Sequence, residues 1–300
     1  MKIKHLPSSV ALLAILSACA HKPEKTISIS DVPSDKIESC KESSQQKIRT
    51  AGIVPQFPPA KITQVYAPIL QKIGSMTDLC IELVMSKNIP EFEKLLMTER
   101  IDYAFMNPYH QVMVKDKYTP IIRDKTRLLT GIIVTHKQSD IKNISDLNGR
   151  RLFLPAPNAF GASLLTREIL KRNGIEPEVI FVKTHPNVYR NVFFDQSSAG
   201  GGVNNTLIKE QESLKSNLRI VFETEGFPAH PFSGSKRLSP RERESVALAM
   251  KQLSKDPQFR AKFRQAQMSE PIDTDYTRDY KELEELGLEE FIQHEADDKD

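Results

Sequence analysis

The sequence predicts an α/β protein with mostly parallel sheets flanked by helices, and three observations carry that reading. From Lys47 onward, short β-rich runs alternate with helix-length amphipathic segments, the pattern of strand–helix–strand units whose strands run parallel. Segment 60–73 places Ile62, Val65, Ile69, Leu70 and Ile73 on one face, the apolar stripe a helix needs to cover a sheet. Asn173-Gly174 stops a helix and turns the chain into the next strand.

Taken in order, the short β-rich runs predict strands at 48–54, 79–85, 102–106, 119–123, 128–135, 151–154, 179–182, 199–203 and 219–222. The longer amphipathic segments predict helices at 60–73, 89–98, 108–114, 160–173, 187–194, 206–214, 240–254, 257–267 and 276–286. No strand is expected between the last three helices, which should wrap the outside of a lobe already built. The acidic stretch after Gln293 reads as a disordered tail, and the chain has no internal repeat.

The first residues carry a different signal. A basic start, Met1-Lys2-Ile3-Lys4-His5, leads into an apolar run and then Leu16-Ser17-Ala18-Cys19. That order marks a cleaved bacterial lipoprotein export signal over residues 1–18, because the apolar run is too short to span a bilayer. The mature chain is then expected to begin at a lipidated Cys19 carrying palmitate-type acyl chains. Each buried methylene contributes about 0.8 kcal/mol, so two or more chains anchor stably. Residues 19–46 are Ser-, Lys- and Glu-rich without periodicity and read as a flexible lipidated tether.

Loss of Lys2 and Lys4 with the signal takes the formal charge from +3 to +1. Such a near-neutral chain gives no electrostatic case for nucleic acid. The mature length allows two lobes, each with its own core. Cys40 and Cys80 form an even pair in an oxidising envelope and are a disulfide candidate, or else remain free thiols. No Cys/His spacing suggests a metal, no cofactor fingerprint is present, and no nucleophile or carboxylate constellation suggests an enzyme.

Four segments could carry chemistry. In 154–163 a strand ends, prolines turn the chain, and Asn158-Ala159-Phe160-Gly161-Ala162 leads into a helix. The free N–H groups of a helix start suit an anion; a plain capping loop with Asn158 or Ser163 as the cap is the alternative. Asn107 and Tyr109 fall at the carboxyl edge of a strand, where ligands of open α/β sheets bind, although Tyr109 could equally pack as a surface aromatic. His185 sits just past another strand and is either a capping or packing residue or a ligand contact. Gly200-Gly201-Gly202 permits close backbone approach.

Six segments together resemble the phosphate/phosphite/phosphonate substrate-binding proteins of ABC transporters, over roughly residues 47–265. They are 100–109, Asn148-Gly149-Arg150-Arg151-Leu152, the 157–161 turn, 183–190, Ala199-Gly200-Gly201-Gly202-Val203 and Phe227-Pro228-Ala229-His230-Pro231. The resemblance implies a periplasmic-binding-protein fold of type 2, two α/β lobes closing on a ligand cleft. Residues 47–134 plus 222–300 would form lobe 1, and 135–221 lobe 2. It further implies a ligand site formed by Asn107, Tyr109, Asn158, Ala159, Phe160, Gly161, Ala162, His185 and His230. The family's phosphonate binders commonly have a Ser-Thr-Ser-Gly turn where this chain has Asn158-Ala159-Phe160-Gly161, so hydroxyl donors are lost and backbone donors remain. An acidic residue that can meet a ligand amine is replaced by His230, which disfavours aminoalkylphosphonates.

The function expected from this is capture of a small oxyanion (phosphate, phosphite or a phosphonate) by a lipid-anchored envelope protein for an ABC permease. A lipoprotein that reports occupancy to a membrane signalling partner without transport is the alternative. Ala20 stands where aspartate would retain a lipoprotein in the inner membrane, so the periplasmic side of the outer membrane is favoured over the inner. The expected partners are the anion, the membrane through the lipid, and a permease or signalling protein, with the chain itself a monomer.

Overall fold

The computed structural model describes residues 46–293. The signal segment, Cys19, most of the tether, Cys40 and the tail after Gln293 lie outside the described residues.

The first lobe opens with β1 (Lys47–Ile53), α1 (Pro59–Thr77), β2 (Leu79–Val84), α2 (Ile89–Met97), β3 (Tyr103–Phe105), α3 (Pro108–Met113) and β4 (Tyr118–Asp124). β1 lies between β2 and β3, parallel to both. The stripe on α1 is buried as its spacing requires, with Ile62, Val65, Ile69, Leu70 and Ile73 all in the core. Helix starts are capped locally: the Asn88 side chain accepts from Glu91 N–H, and Asn107 accepts from His110 N–H. Cys80 in β2 is disulfide-bonded.

Short strands β5 (Leu128–Leu129) and β11 (Phe227–Pro228) pair as the crossing between lobes. The second lobe holds β6 (Gly131–His136), β7 (Arg151–Leu154), a π-helical turn (Phe160–Leu164) continuing into α4 (Leu165–Arg172), and β8 (Glu178–Phe181). It continues with α5 (His185–Phe194), β9 (Ala199–Val203), α6 (Asn204–Leu207), α7 (Glu212–Lys215) and β10 (Leu218–Glu223). Its sheet runs β10-β6-β9-β7-β8. The chain then returns to lobe 1 through β12 (Phe232–Ser235), α8 (Pro240–Leu253), α9 (Pro257–Gln265), β13 (Pro271–Asp273) and α10 (Tyr276–Asp279). Two 3₁₀ turns, Lys281–Leu286 and Glu289–Phe291, finish the described chain. The first sheet thereby gains strands in the order β13-β4-β12-β3-β1-β2.

Several expectations change. The sheets are mixed rather than mostly parallel: β12 enters antiparallel between β3 and β4, and β13 antiparallel beside β4. Those strands arrive after the chain has visited the second lobe, so no helical crossover imposes parallel pairing on them. β6 is likewise antiparallel to β9 and β10, while β7 runs parallel to β8 and β9. The single strand expected over 128–135 divides at Thr130, whose carbonyl accepts from Asn204 N–H. The lobes therefore meet at 128–130, and the boundary drawn at 134/135 falls inside β6. The helix expected at 206–214 is two short helices, because Ile208 is exposed and α7 buries no side chain to extend either. β13 stands between α9 and α10, correcting the run of uninterrupted C-terminal helices.

Candidate functional site: a closed cleft at a helix start

A cavity of about 20 Å³ lies where the lobes meet, room for about one water molecule. Lobe 1 contributes Val54 and Gln56 past the carboxyl end of β1, Ile89 at the start of α2, Asn107 past β3, and His230 before β12. Lobe 2 contributes Ala159, Phe160, Gly161 and Ala162 of the π-turn, His185 at the first turn of α5, and Val203 ending β9. Leu129 of the crossing completes the lining, which holds no Asp, Glu, Lys or Arg.

The polar groups of this lining are backbone amides, the neutral side-chain amides of Asn107 and Gln56, and two imidazole rings. The helix is continuous from Phe160 to Arg172, and its first turn is wide: Ser163 and Leu164 N–H both donate to Ala159 O, at 2.8 and 3.1 Å. The N–H groups of Phe160, Gly161 and Ala162 have no acceptor among the described residues, as the first turn of a helix leaves them. His185 is 5% exposed and its Nδ1 has no partner. Burial pushes its pKa down to about 4. His230 stacks on Phe105 at 5.4 Å. Burial, then the neighbouring His110, His185 and Lys209, push its pKa down to about 3. Both rings are neutral at pH 7 and can each offer one N–H. Gln56 adds a third kind of donor: its Nε2 is buried and unpartnered.

The glycine run of β9 explains how the turn comes so close to the sheet. Alternate strand residues face opposite ways. A Cβ on Gly201 would lie 2.1 Å from Ala162 O and 2.4 Å from Leu154 Cδ2, so only glycine lets the turn rest against the strand. A Cβ on Gly200 would point the other way and meet Val188 Cγ1 of α5 at 2.5 Å.

Of the residues expected from the sequence, Asn107, Ala159, Phe160, Gly161, Ala162, His185 and His230 line this cavity. Tyr109 and Asn158 do not. The Tyr109 hydroxyl donates to Glu289 Oε1 at 3.0 Å, and its ring stacks on Phe160 with the centroids 6.2 Å apart. Burial and the Glu289 carboxylate raise its pKa, so it stays protonated. The Asn158 amide donates to Glu93 Oε2 and to Gln293 O, both at 2.8 Å, and its Oδ1 accepts from Gln293 N–H at 3.0 Å. Asn107 divides its hydrogen bonds, accepting from His110 N–H at 2.7 Å and donating to Asn158 O at 3.3 Å. The Phe160 ring lies edge-on to Phe227, with the centroids 5.3 Å apart. Sequence reasoning missed the apolar lining residues Val54, Ile89, Leu129 and Val203 and one polar one, Gln56, since nothing in a lone glutamine between proline-rich turns marks it as buried.

A lining of this composition attracts a negative charge: unpartnered N–H donors, a positive helix end and no competing carboxylate. It holds no carboxylate to meet a ligand ammonium.

The chain matches a family model described as "ABC transporter, phosphonate, periplasmic substrate-binding protein" over residues 51–291. Among solved structures it is similar to PhnD1 from Prochlorococcus marinus in complex with methylphosphonate (TM-score 0.70, 16% identity, 80% of this chain and 97% of that one). It is also similar to a binding protein component of an ABC phosphonate transporter from Pseudomonas aeruginosa (TM-score 0.69, 12% identity, 77% and 82%). A third is XAC2383 from Xanthomonas citri, bound to ATP (TM-score 0.69, 17% identity, 83% and 100%). At these identities the structural likeness speaks for the two-lobed fold.

Proposed function

The chain belongs to the periplasmic substrate-binding proteins of phosphonate ABC transporters, and from that premise we propose that it captures a small oxyanion without an attached amine. Phosphate, phosphite and methylphosphonate are the candidates, and the captured anion passes to an ABC permease. Proteins of this family bind solutes and are not enzymes. Among the described residues no helix is long and apolar enough to cross a membrane. We further read the protein as a monomer anchored through Cys19. A Cys19→Ala variant should leave the membrane fraction, and sucrose-gradient fractionation of the unaltered protein should place it with the outer membrane.

One observation supports the ligand reading above the others. Phe160, Gly161, Ala162 and His185 line a single cavity without a carboxylate, and the first-turn N–H groups of the first three and Nδ1 of buried His185 have no partner among the described residues. Unmade hydrogen bonds on buried groups cost about 1–3 kcal/mol each. An oxyanion that accepts from them recovers that cost through charge-assisted bonds. A tetrahedral headgroup needs more room than one water, so binding parts the lobes or turns the Phe160 ring aside before closure.

Calorimetry with phosphate, phosphite, methylphosphonate and 2-aminoethylphosphonate tests the reading. At least one of the first three should bind, and 2-aminoethylphosphonate should bind more weakly than methylphosphonate. Ligand at a hundredfold excess over Kd should stabilise by about 2.7 kcal/mol. No heat and no melting shift with any of the four would refute the oxyanion assignment.

A further inference from the structure

The residues that close this cleft but do not line it form a group of their own. Segment 288–293 is tied to lobe 1 by Glu289, whose Oε1 accepts from the Tyr109 hydroxyl of α3; Leu288 is fully buried in a core cluster that draws on both lobes, and Phe291 and Ile292 pack against it. From there it reaches across to lobe 2. Gln293 pairs through both backbone groups with the Asn158 side chain. Arg167 Nη2 donates to Phe291 O at 2.8 Å, and its guanidinium lies 5.3 Å from the Phe291 ring centroid. One helical turn on, Lys171 forms an ion pair with Glu290.

Arg167 has a second set of contacts. The same Nη2 donates to Pro157 O at 2.6 Å, and Nε donates to Ser163 O at 3.2 Å. Those two carbonyls bracket the turn that presents the Phe160, Gly161 and Ala162 amides. Arg167 is half-buried, and burial pushes its pKa down to about 10, so it stays charged. The segment thus touches, besides Lys171, two residues of the second lobe that fix the anion-facing turn or flank it, Arg167 and Asn158.

We infer that segment 288–293 is a clasp: it holds the lobes shut over the anion site, and Asn158 and Arg167 are positioning residues that couple its closure to the turn 158–163. The clasp must release before ligand enters or leaves, so it sets the exchange rates of the captured anion. This rests on the oxyanion reading for its rates, but not for its geometry. Opening of the lobes without the clasp is a property of the unliganded protein.

The test uses full-length protein with methylphosphonate as probe. Rates come from stopped-flow fluorescence of a dye on an exposed lobe residue, and shape from small-angle scattering. Arg167→Ala should enlarge the radius of gyration of the unliganded protein and speed dissociation about tenfold. The surface pair provides a variant that does not threaten folding, since Lys171 and Glu290 are both exposed. Lys171→Glu should speed dissociation about threefold, the scale of one lost surface ion pair, and adding Glu290→Lys should restore it. A merely structural role would not respond to that charge swap. If no anion binds the unaltered protein, the oxyanion reading fails, and scattering alone decides the clasp. An unchanged radius in Arg167→Ala, or a swap that rescues nothing, overturns it.

Discussion

Replacing Gly201 by alanine should abolish most anion binding while the protein stays folded. The added Cβ would stand 2.1 Å from Ala162 O, so reaching even a 3.0 Å separation displaces that carbonyl by about 0.9 Å. The clash is with backbone, and the whole π-turn must recede from the strand. An N–H···O bond of about 2.9 Å stretched by that amount falls outside hydrogen-bond range. A hydrogen bond to a charged group contributes about 1.5–3 kcal/mol, so loss of one weakens Kd roughly 10- to 100-fold. Gly200→Ala is the control. Its Cβ meets Val188 Cγ1 at 2.5 Å and Val192 Cγ2 at 2.8 Å, side-chain tips on the opposite face. Overpacking there costs about 1–3 kcal/mol of stability without moving the turn. Calorimetry with phosphate and methylphosphonate, beside urea unfolding, separates the two effects. Native affinity in Gly201→Ala, or equal losses in both variants, would refute the reasoning.

Acid should unfold this protein earlier than its carboxylates alone require. His185 titrates near 6.5 when unfolded and about 4 when folded, so the unfolded chain binds more protons in that window and stability falls as pH falls. At about 1.4 kcal/mol per unit, His185 removes about 3 kcal/mol between pH 6.5 and 4. His230 adds to the loss over a window reaching down to about 3. Urea midpoints across pH 7.5 to 4.5 check this, and a flat profile contradicts it. Gln56→Leu should raise the melting temperature by removing an unpartnered buried amide, while weakening anion binding about tenfold; a variant with native affinity would show that Gln56 is not a ligand donor. His230→Asp should cut methylphosphonate affinity and narrow its advantage over 2-aminoethylphosphonate, because a carboxylate then faces the cavity. Calorimetry with both ligands reads the ratio, and an unchanged ratio would exclude His230 from ligand choice.

The strand–helix order was readable wherever a run buries one clear face. Strands β7 and β9 lie where the β-rich runs put them, and α1 buries its stripe. What escaped has physical reasons. β12 reads Phe-Ser-Gly-Ser and β13 Pro-Ile-Asp, with too little apolar alternation to mark a strand until a neighbour supplies the hydrogen bonds. At the site, the helix start and the histidines were visible because backbone geometry and chain position place them. Asn158 falls in the turn that matches the family's oxyanion turn, and the Tyr109 hydroxyl could donate to an anion, so the sequence puts both at the ligand. Which way their polar ends point is decided by Gln293 and Glu289, more than a hundred residues away in sequence. No local pattern announces that arrival. The same holds for the division of labour within the glycine run, which only the packing of a turn on one face and α5 on the other reveals.

Everything functional here depends on an anion accepting hydrogen bonds from one wide turn of backbone. Amide chemical shifts in ¹⁵N-labelled protein titrated with methylphosphonate and, separately, phosphate test that most directly. The N–H signals of Phe160, Gly161 and Ala162 should move downfield together and saturate with the calorimetric Kd. Saturating binding that leaves those three signals in place while amides elsewhere shift would contradict it.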